Sequence, residues 1–248
     1  MLTLVILLSA VPTLLQAWAM PDWNGYGAGD YELYMTASAR WLETGVFYEP
    51  HQLAGPYAIG LGDILYPPVS LWLFVPFTFL PGFLWWAIPL GVTAWVLWSL
   101  RPSPVAWPLM ALCVTWEPGY IHVVAGNPVM WSLMAVALAT RYPVAAPFAL
   151  LKASLFPFAL FRIDRRAWWV GLAVWCALSL PFLPMWFDWL RVVTNGRAPG
   201  GLLYSLQEAP LLALPIIAWL YRPGGRYGQL ARYASISRQP ANDPIPTW

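Results

Sequence analysis

The sequence contains few charged residues, which argues against a soluble globular protein. Only 10% of its 248 residues are Asp, Glu, Lys or Arg, against roughly 25% in a typical soluble domain. Hydrophobic residues make up 60% of the chain, and the mean hydropathy is +0.58. A soluble globule of this size could not cover its surface with so few charges. The composition therefore predicts an all-α integral membrane protein that spans the bilayer several times.

Other absences narrow the function. The formal net charge of +2 gives no reason to expect a nucleic-acid partner. Cys113 and Cys176 lie in apolar runs and form no CxxC pair, so we expect two buried thiols. The histidines are far apart and form no metal-binding pattern. The chain also has no Gly-rich nucleotide loop, which disfavours a nucleotide-activated substrate.

The charges that are present are distributed unevenly, and their distribution predicts a topology. Residues 21–66 contain six carboxylates and one cation, Arg40, whereas residues 221–248 contain four arginines and one acid, Asp243. Cytoplasmic flanks of membrane spans collect Arg and Lys. We therefore expect 1–220 to be the membrane domain of an inner (plasma) membrane protein. Within it, 21–66 is predicted to be an extracytoplasmic loop, and 221–248 is predicted to follow as a disordered cytoplasmic tail.

Apolar runs predict about six to eight transmembrane or re-entrant helices. The first run, 2–19, lacks the basic start of a signal peptide, so we expect a retained membrane helix, with cleavage near its end as the alternative. Several later runs contain an internal proline or are shorter than the ~20 residues of a full span, which indicates kinked or re-entrant segments. These later runs are 69–80, 83–100, 105–116, 128–140, 144–161, 168–186 and 210–220.

Two topologies remain open for the arginines between these runs. If every run between the first loop and Arg162 crosses the membrane, Arg101 and Arg141 lie outside. If instead 69–100 crosses only once and 144–161 dips in and returns to the same side, all three arginines are cytoplasmic. The second topology is favoured because it agrees with the preference of basic residues for the cytoplasmic side.

A helix is predicted in the first loop, beginning at Asp30 and ending at Gly45, which suits a C-terminal cap. Tyr34 and Trp41 recur on the same helical face as Asp30. Such a helix is amphipathic and is expected to lie on the outer membrane surface. Tyr34, Trp41 and Phe47 would then lie at the depth of the lipid headgroups.

Several short motifs occur in order between residues 30 and 170. Asp30-Tyr31-Glu32 opens the helix of the first loop, and Tyr66-Pro67-Pro68 opens the next apolar run. Gly126-Asn127, Lys152-Ala153 and the basic stretch 162–168 follow. Together these motifs resemble the GT-C membrane glycosyltransferases, and most of all glycosyltransferase family 87, the polyprenyl-phosphate-mannose-dependent mannosyltransferases. Asn127 and Ala153 stand where that family has Gln and Pro, and the chain is shorter than typical members.

The resemblance implies a hexosyltransferase that moves a sugar, mannose in that family, from a polyprenyl-phosphate donor to an extracytoplasmic glycan or glycolipid acceptor. Asp30 is then the catalytic base that takes the proton of the acceptor hydroxyl. Lys152, the single lysine of the chain, lies in an apolar segment where a charge is costly, so it is a candidate cation for the leaving phosphate. Arg191 and Arg197, in a second outer loop predicted at 187–208, are alternative cations.

Further substrate-binding candidates accompany these charges. Aromatic rings can stack on sugars, and polar groups beside them can contact the substrate. The candidates are Glu32, Tyr34, Tyr66, His122 and Asn127. No cofactor is expected, with a divalent metal held by Asp30 and Glu32 as the alternative.

Each charged or polar candidate also has a purely structural interpretation. Asp30 can cap its own helix, and Asn127 can cap the helix that follows it. Lys152 can extend to the membrane interface or pair with a carboxylate. His122 can be a hydrogen-bonded structural histidine.

Two other functions remain open. One is a non-catalytic, GT-C-derived subunit or scaffold within a larger membrane complex. The other is a small transporter, which is disfavoured because the sequence shows no paired intramembrane charges and no internal repeat. A transferase requires an outer cavity in which Asp30 and a cation lie within about one sugar-phosphate of each other, whereas in a scaffold side chains fill that cavity.

Overall fold

The structure is a computed structural model that describes residues 29–60, 62–197, 205–225, 227 and 229. The membrane helix predicted at 2–19 and the greater part of the tail predicted at 221–248 lie outside these ranges. Within them the protein is helical with one small pair of strands, which confirms the predicted all-α class.

The helices follow some of the predicted apolar runs, whereas the run 144–161 is mostly 3₁₀ helix and the run 168–186 is divided between two α-helices. In chain order they are α1 Gly29–Thr44, α2 Pro50–Ala54, α3 Leu71–Phe77, α4 Leu84–Leu100, α5 Trp107–Thr115, α6 Glu117–Val124, α7 Val129–Ala139, α8 Phe156–Ala159, α9 Arg166–Ser179, α10 Leu183–Asn195 and α11 Ala209–Leu220. Short 3₁₀ helices lie between them at Pro68–Ser70, Pro104–Ala106, Pro143–Leu151, Ala153–Leu155, Leu180–Phe182 and Leu206–Glu208. Strands β1 Tyr57–Ala58 and β2 Gly196–Arg197 form a parallel pair.

Helix α1 begins against the end of α6. The backbone N–H groups of Asp30 and Tyr31 donate to the Ala125 carbonyl at 3.0 and 3.1 Å, which satisfies two donors of the first helical turn. Acidic side chains in this turn suit the positive end of the helix dipole. At the other end Gly45 adopts a φ of +76° and donates to the Trp41 carbonyl at 2.8 Å. The predicted cap at Gly45 is therefore confirmed.

The main hydrophobic core is aromatic and contains the buried face of α1. Tyr34 packs edge-on against Tyr66 and stacks on Phe74, with ring centroids 5.0 Å apart in both cases. Tyr34 and Phe47 are only 5% and 2% exposed. The expected contact of these two side chains with lipid headgroups is therefore wrong, because α3 covers this face of α1. The position of α1 on the outer membrane surface stays a prediction. Trp41, which was assigned the same depth, is half-buried.

A sharp bend between α6 and α7 brings a polar residue into the interior. The two helices meet at 109° across a short break. Gly126 at this break has a φ of +77°, which a residue with a Cβ adopts only at a cost. An added Cβ would also lie 2.7 Å from the Tyr31 Cβ and 2.8 Å from Trp86. Asn127 follows immediately, so the bend fixes its position.

One described helical stretch is long and apolar enough to cross a membrane. It runs over Arg166–Asn195 and joins α9 to α10, and its most apolar 18 residues have a mean hydropathy of 1.7. Counting the bent pair α6–α7 as one span raises the number to two. The other apolar helices are shorter, so the predicted six to eight membrane segments stay a prediction. Helix α10 continues to Asn195, so the second loop predicted at 187–208 begins later than expected.

Candidate functional site

Five polar side chains from distant parts of the sequence meet at one end of the bundle. They come from the first turn of α1, from α6, from the bend before α7, from the junction of two 3₁₀ helices, and from the residue before α11. We call them the polar chain, and its members are Asp30, His122, Asn127, Lys152 and Glu208. Four of the five were candidates from the sequence.

Asn127 stands at the centre of the polar chain. Its Nδ2 donates to Asp30 Oδ2 at 2.7 Å. Its Oδ1 accepts hydrogen bonds from the Tyr66 hydroxyl at 2.7 Å, from the Val129 N–H at 3.0 Å and from Lys152 Nζ at 3.3 Å. The bond from Val129 satisfies the first N–H group of the following helix, which is the kind of contact that the capping alternative for Asn127 expects. The Asn127 side chain therefore joins Lys152, the only lysine of the sequence, to the Asp30 carboxylate.

Lys152 is buried and forms an ion pair. Its Nζ lies 2.5 Å from Glu208 Oε1, and the two side chains are 5% and 1% exposed. The ammonium also lies 5.9 Å from the centre of the Tyr66 ring, within the range of a cation–π contact. The alternative in which Lys152 pairs with a carboxylate is therefore confirmed. Because its charge is already balanced, Lys152 does not present an open cation to a ligand.

Glu208 was missed by the sequence analysis. Its Oε1 lies 3.4 Å from His122 Nε2, which also lies 3.2 Å from Gln207 Nε2. Its Oε2 is buried and has no hydrogen-bond partner within the described residues. The signal that could have found it is its position, because it is the only acid of residues 198–225 and directly precedes an apolar run. Its pairing with Lys152 also corrects one argument against a transporter, the supposed lack of paired charges among apolar segments.

Not every candidate from the sequence belongs to the polar chain. Tyr34 and Tyr66 are core residues, so they offer no uncovered ring faces for a sugar to stack on. Tyr66 instead holds Asn127 through its hydroxyl group. Glu32 is exposed beside Asp30, and Arg197 is exposed on β2, where it lies opposite Ala58.

A groove borders Tyr31 and Glu32 in the first turn of α1. It has a volume of about 650 Å³ and lies between the start of α1 and the first half of α4. Apart from Glu32 and the Tyr31 hydroxyl its lining is apolar. The lining residues are Tyr31, Glu32, Gly82, Phe83, Trp86, Ala87, Leu90 and Gly91. Asp30 is half-buried and is not among the residues that line the groove.

The described ranges contain no group of three His, Cys, Asp or Glu side chains placed to hold a metal ion. The metal alternative at Asp30 and Glu32 gains no support from the geometry, because Asp30 is hydrogen-bonded to an amide and Glu32 is exposed.

Comparison with known proteins leaves the family open. No family model, no curated protein and no solved structure matches the chain. The resemblance to GT-C glycosyltransferases therefore stays a hypothesis drawn from the sequence, and the geometry of the polar chain is the basis on which a function can be proposed.

Proposed function

We propose that the protein is a multi-pass membrane glycosyltransferase that takes a sugar from a polyprenyl-phosphate donor, with Asp30 as the general base. One observation supports this proposal more than any other. Asp30 and Lys152 are distant in sequence, yet both hydrogen-bond to Asn127, so a carboxylate and a cation lie on either side of one carboxamide. The arrangement supports a role for Asp30 beyond capping its helix, because Asn127 couples the Asp30 carboxylate to a buried ammonium.

Membrane embedding is supported by the outer surface of the bundle. Large apolar side chains face outward, among them Trp98 at 85% and Phe79 at 77% exposure. A large exposed apolar surface is unusual for a soluble monomer. The stretch Arg166–Asn195 has 30 residues and is about 45 Å long at helical rise. It exceeds the ~30 Å hydrocarbon thickness, so its polar last turns would emerge from the bilayer.

The proposed reaction needs one proton acceptor at the surface of the polar chain. Asp30 Oδ2 is held by Asn127, and the start of α1 stabilises its negative charge. Asp30 takes the proton of the acceptor hydroxyl as that oxygen attacks the anomeric carbon of the sugar. The bond from the anomeric carbon to the phosphate oxygen breaks, and polyprenyl phosphate leaves with the bonding electron pair.

The role proposed for Lys152 differs from the one that the sequence suggested. Its ammonium is engaged by Glu208 and buried, so it does not contact the leaving phosphate. Instead it holds Asn127 Oδ1, which turns Asn127 Nδ2 towards Asp30. Lys152 is therefore a positioning residue, and exposed Arg197 remains the proposed cation for the phosphate.

The alternative, a non-catalytic subunit or scaffold, is favoured by a different observation. The polar chain is largely satisfied from within, since Asn127 bonds on both sides and Lys152 is paired with Glu208. In a scaffold, the only role of this network is to fix the bend between α6 and α7. The two functions differ in whether Asp30 has chemistry to perform.

Substitution of Asp30 separates them. Transfer of labelled mannose from polyprenyl-phosphate mannose is measured in membranes containing wild-type protein or Asp30→Asn, which can still accept the bond from Asn127. Loss of the base should reduce transfer at least about 100-fold. Glu43→Gln, an exposed change on the same helix, is the control and should transfer normally. Equal transfer by Asp30→Asn would contradict the assigned base, and no transfer by wild type would favour the scaffold.

A further inference from the structure

A second charged region lies at the other end of the bundle from the polar chain. Helix α7 follows Asn127 and leads to Arg141, while α11 follows Glu208 and leads to Arg222. Each helix thus has a member of the polar chain before its first residue and an arginine after its last. The Ser103 N–H donates to the Tyr221 carbonyl at 2.9 Å, which ties the end of α4 to the same place. We call Arg101, Arg141, Arg162 and Arg222 the arginine cluster.

Two of these arginines share one indole ring. The Arg162 and Arg222 guanidinium carbons lie 5.4 and 4.2 Å from the centre of the Trp219 ring. Arg162 Nη1 donates to the Thr140 carbonyl at 3.2 Å, and Arg222 donates to the Trp219 carbonyl. Each guanidinium carries five N–H donors, and the described residues accept from only a few of them, which leaves the others for a ligand.

The arginine cluster has no acidic partner within the described residues. The carboxylate nearest in sequence, Asp164, pairs with Arg165 at 2.9 Å. None of the four clustered arginines forms an ion pair with another residue that the structure describes. Burial and the nearby Arg162 guanidinium both lower the pKa of Arg222. Two like charges held half-buried on one ring repel each other, and an anion between them would remove that repulsion.

The backbone adds an independent observation. Arg101 and Arg162 are the two non-glycine residues in the described ranges with positive φ, at 48° and 64°. Non-glycine residues adopt this left-handed region rarely and at a cost, and they persist there where the surrounding structure holds them. Both cases occur in the arginine cluster. The fold therefore holds the backbone of both residues in a conformation that costs energy.

Exposed tryptophans surround the cluster and indicate what the anion is attached to. Arg141 lies 5.1 Å from the centre of the Trp95 ring, and Trp98 is exposed on the next turn. Trp169, close to the start of α9, is exposed as well. Arginine together with tryptophan is typical of the membrane–water interface, where the ring contacts acyl chains and the cation contacts phosphate.

We propose that Arg162, Arg222 and Trp219 form a binding site for the phosphate of an anionic phospholipid headgroup. The two guanidiniums donate to the phosphate oxygens from either side, in the forked geometry that arginine gives to phosphate. The site goes beyond sugar transfer and is independent of it, because a chain without transferase activity would bind the lipid equally well.

Lipid binding can be measured on the full-length purified protein in detergent. Native mass spectrometry reports the affinity for phosphatidylglycerol and for phosphatidylcholine with the same acyl chains. Wild type should prefer phosphatidylglycerol. The double variant Arg162→Gln/Arg222→Gln should bind phosphatidylglycerol about thirtyfold more weakly, because each basic group beside an anionic headgroup raises the affinity about fivefold. Arg191→Gln, an exposed arginine on α10, is the matched control and should change the affinity less than about twofold.

The remaining outcomes also decide the proposal. An unchanged preference for phosphatidylglycerol in the double variant would overturn it. If the double variant does not fold, each single variant should lose about fivefold, and no loss in either would overturn it as well. Millimolar inorganic phosphate should compete weakly, because it lacks acyl chains for the tryptophans. Full displacement of lipid by inorganic phosphate would show a site for free anions and contradict the assignment to a lipid.

Discussion

The two ends of the bundle treat charge in opposite ways. In the polar chain Lys152 and Glu208 are buried against each other. In the arginine cluster Arg162 and Arg222 lie over one tryptophan with no acid beside them in the part of the chain that the structure describes. A charge removed from water needs a partner at hand, because its desolvation costs several kcal/mol. A half-buried cation can instead take its partner from outside the protein.

The comparison explains why the same helices serve two purposes. Helices α7 and α11 each begin at the polar chain and end at the arginine cluster. Where they begin, hydrogen bonds lock side chains into one arrangement, as a positioning network requires. Where they end, the arginines keep unused donors, as a binding surface requires.

The largest effect should come from breaking the buried pair on one side only. Glu208→Leu leaves the Lys152 ammonium buried without a counter-charge, which should lower the free energy of unfolding by about 3–5 kcal/mol. The double variant Lys152→Met/Glu208→Leu removes both charges and should regain most of that stability. Denaturant-induced unfolding in detergent measures the free energy of unfolding of both variants. A loss below about 1 kcal/mol in Glu208→Leu would mean that the pair is open to water.

A smaller loss should follow when the packing beside the arginine cluster is disturbed. An added Cβ at Gly171 on α9 would lie 2.1 Å from the Val144 carbonyl oxygen, a backbone atom that cannot move alone. Gly171→Ala should therefore lower the free energy of unfolding by about 1–3 kcal/mol. Gly91→Ala on α4 meets nothing within 4 Å and serves as the matched control. Equal unfolding curves for the two variants would indicate that α9 and the 3₁₀ helix Pro143–Leu151 are not packed as described.

Removing one hydrogen bond of the polar chain should lower the free energy of unfolding less than either of these changes. Tyr66→Phe deletes the hydroxyl that donates to Asn127 Oδ1 but leaves the ring in the core. The expected loss is about 1 kcal/mol, because Asn127 Oδ1 keeps its bonds from Val129 and Lys152. Thermal unfolding measures it, with the exposed change Tyr142→Phe as control. A loss as large as that of Glu208→Leu would mean that the hydroxyl, rather than the ion pair, holds the network together.

The smallest effect is expected at an exposed ion pair. Arg191 and Asp188 lie one turn apart on α10, with 3.7 Å between Arg191 Nη1 and Asp188 Oδ1, and both side chains are solvent-accessible. Asp188→Asn should change the free energy of unfolding by about 0–1 kcal/mol. The same unfolding measurement as for Glu208→Leu gives a direct contrast between a buried and an exposed carboxylate. A loss comparable to that of the buried pair would contradict the assigned burial.

Local features were predictable because they depend on neighbouring residues. The runs expected at 83–100, 128–140 and 210–220 agree within a residue or two with helices α4, α7 and α11, since prolines and polar residues mark their ends. The cap at Gly45 was predicted for the same reason. Helix α6 was not separated from its surroundings, because the bend at Gly126 depends on contacts with Tyr31 and Trp86.

The candidate site was predictable only in part. Asp30, Asn127 and Lys152 stood out by residue type, since a polar or charged group in an apolar chain is costly and needs a reason. Glu208 did not, because its partner lies 56 positions away and no local pattern records that distance. Tyr34 was assigned to the membrane surface because the pattern marks an apolar face without saying what covers it.

By itself the sequence determined the helical segments, the uneven placement of charge and the short set of groups able to do chemistry, because these follow from residue type and local spacing. Only the tertiary structure decided which charges meet. It buried Lys152 against Glu208 and left Arg162 and Arg222 together on Trp219. The physical reason is that an electrostatic interaction depends on distance and burial in space, and both are set by how the helices pack.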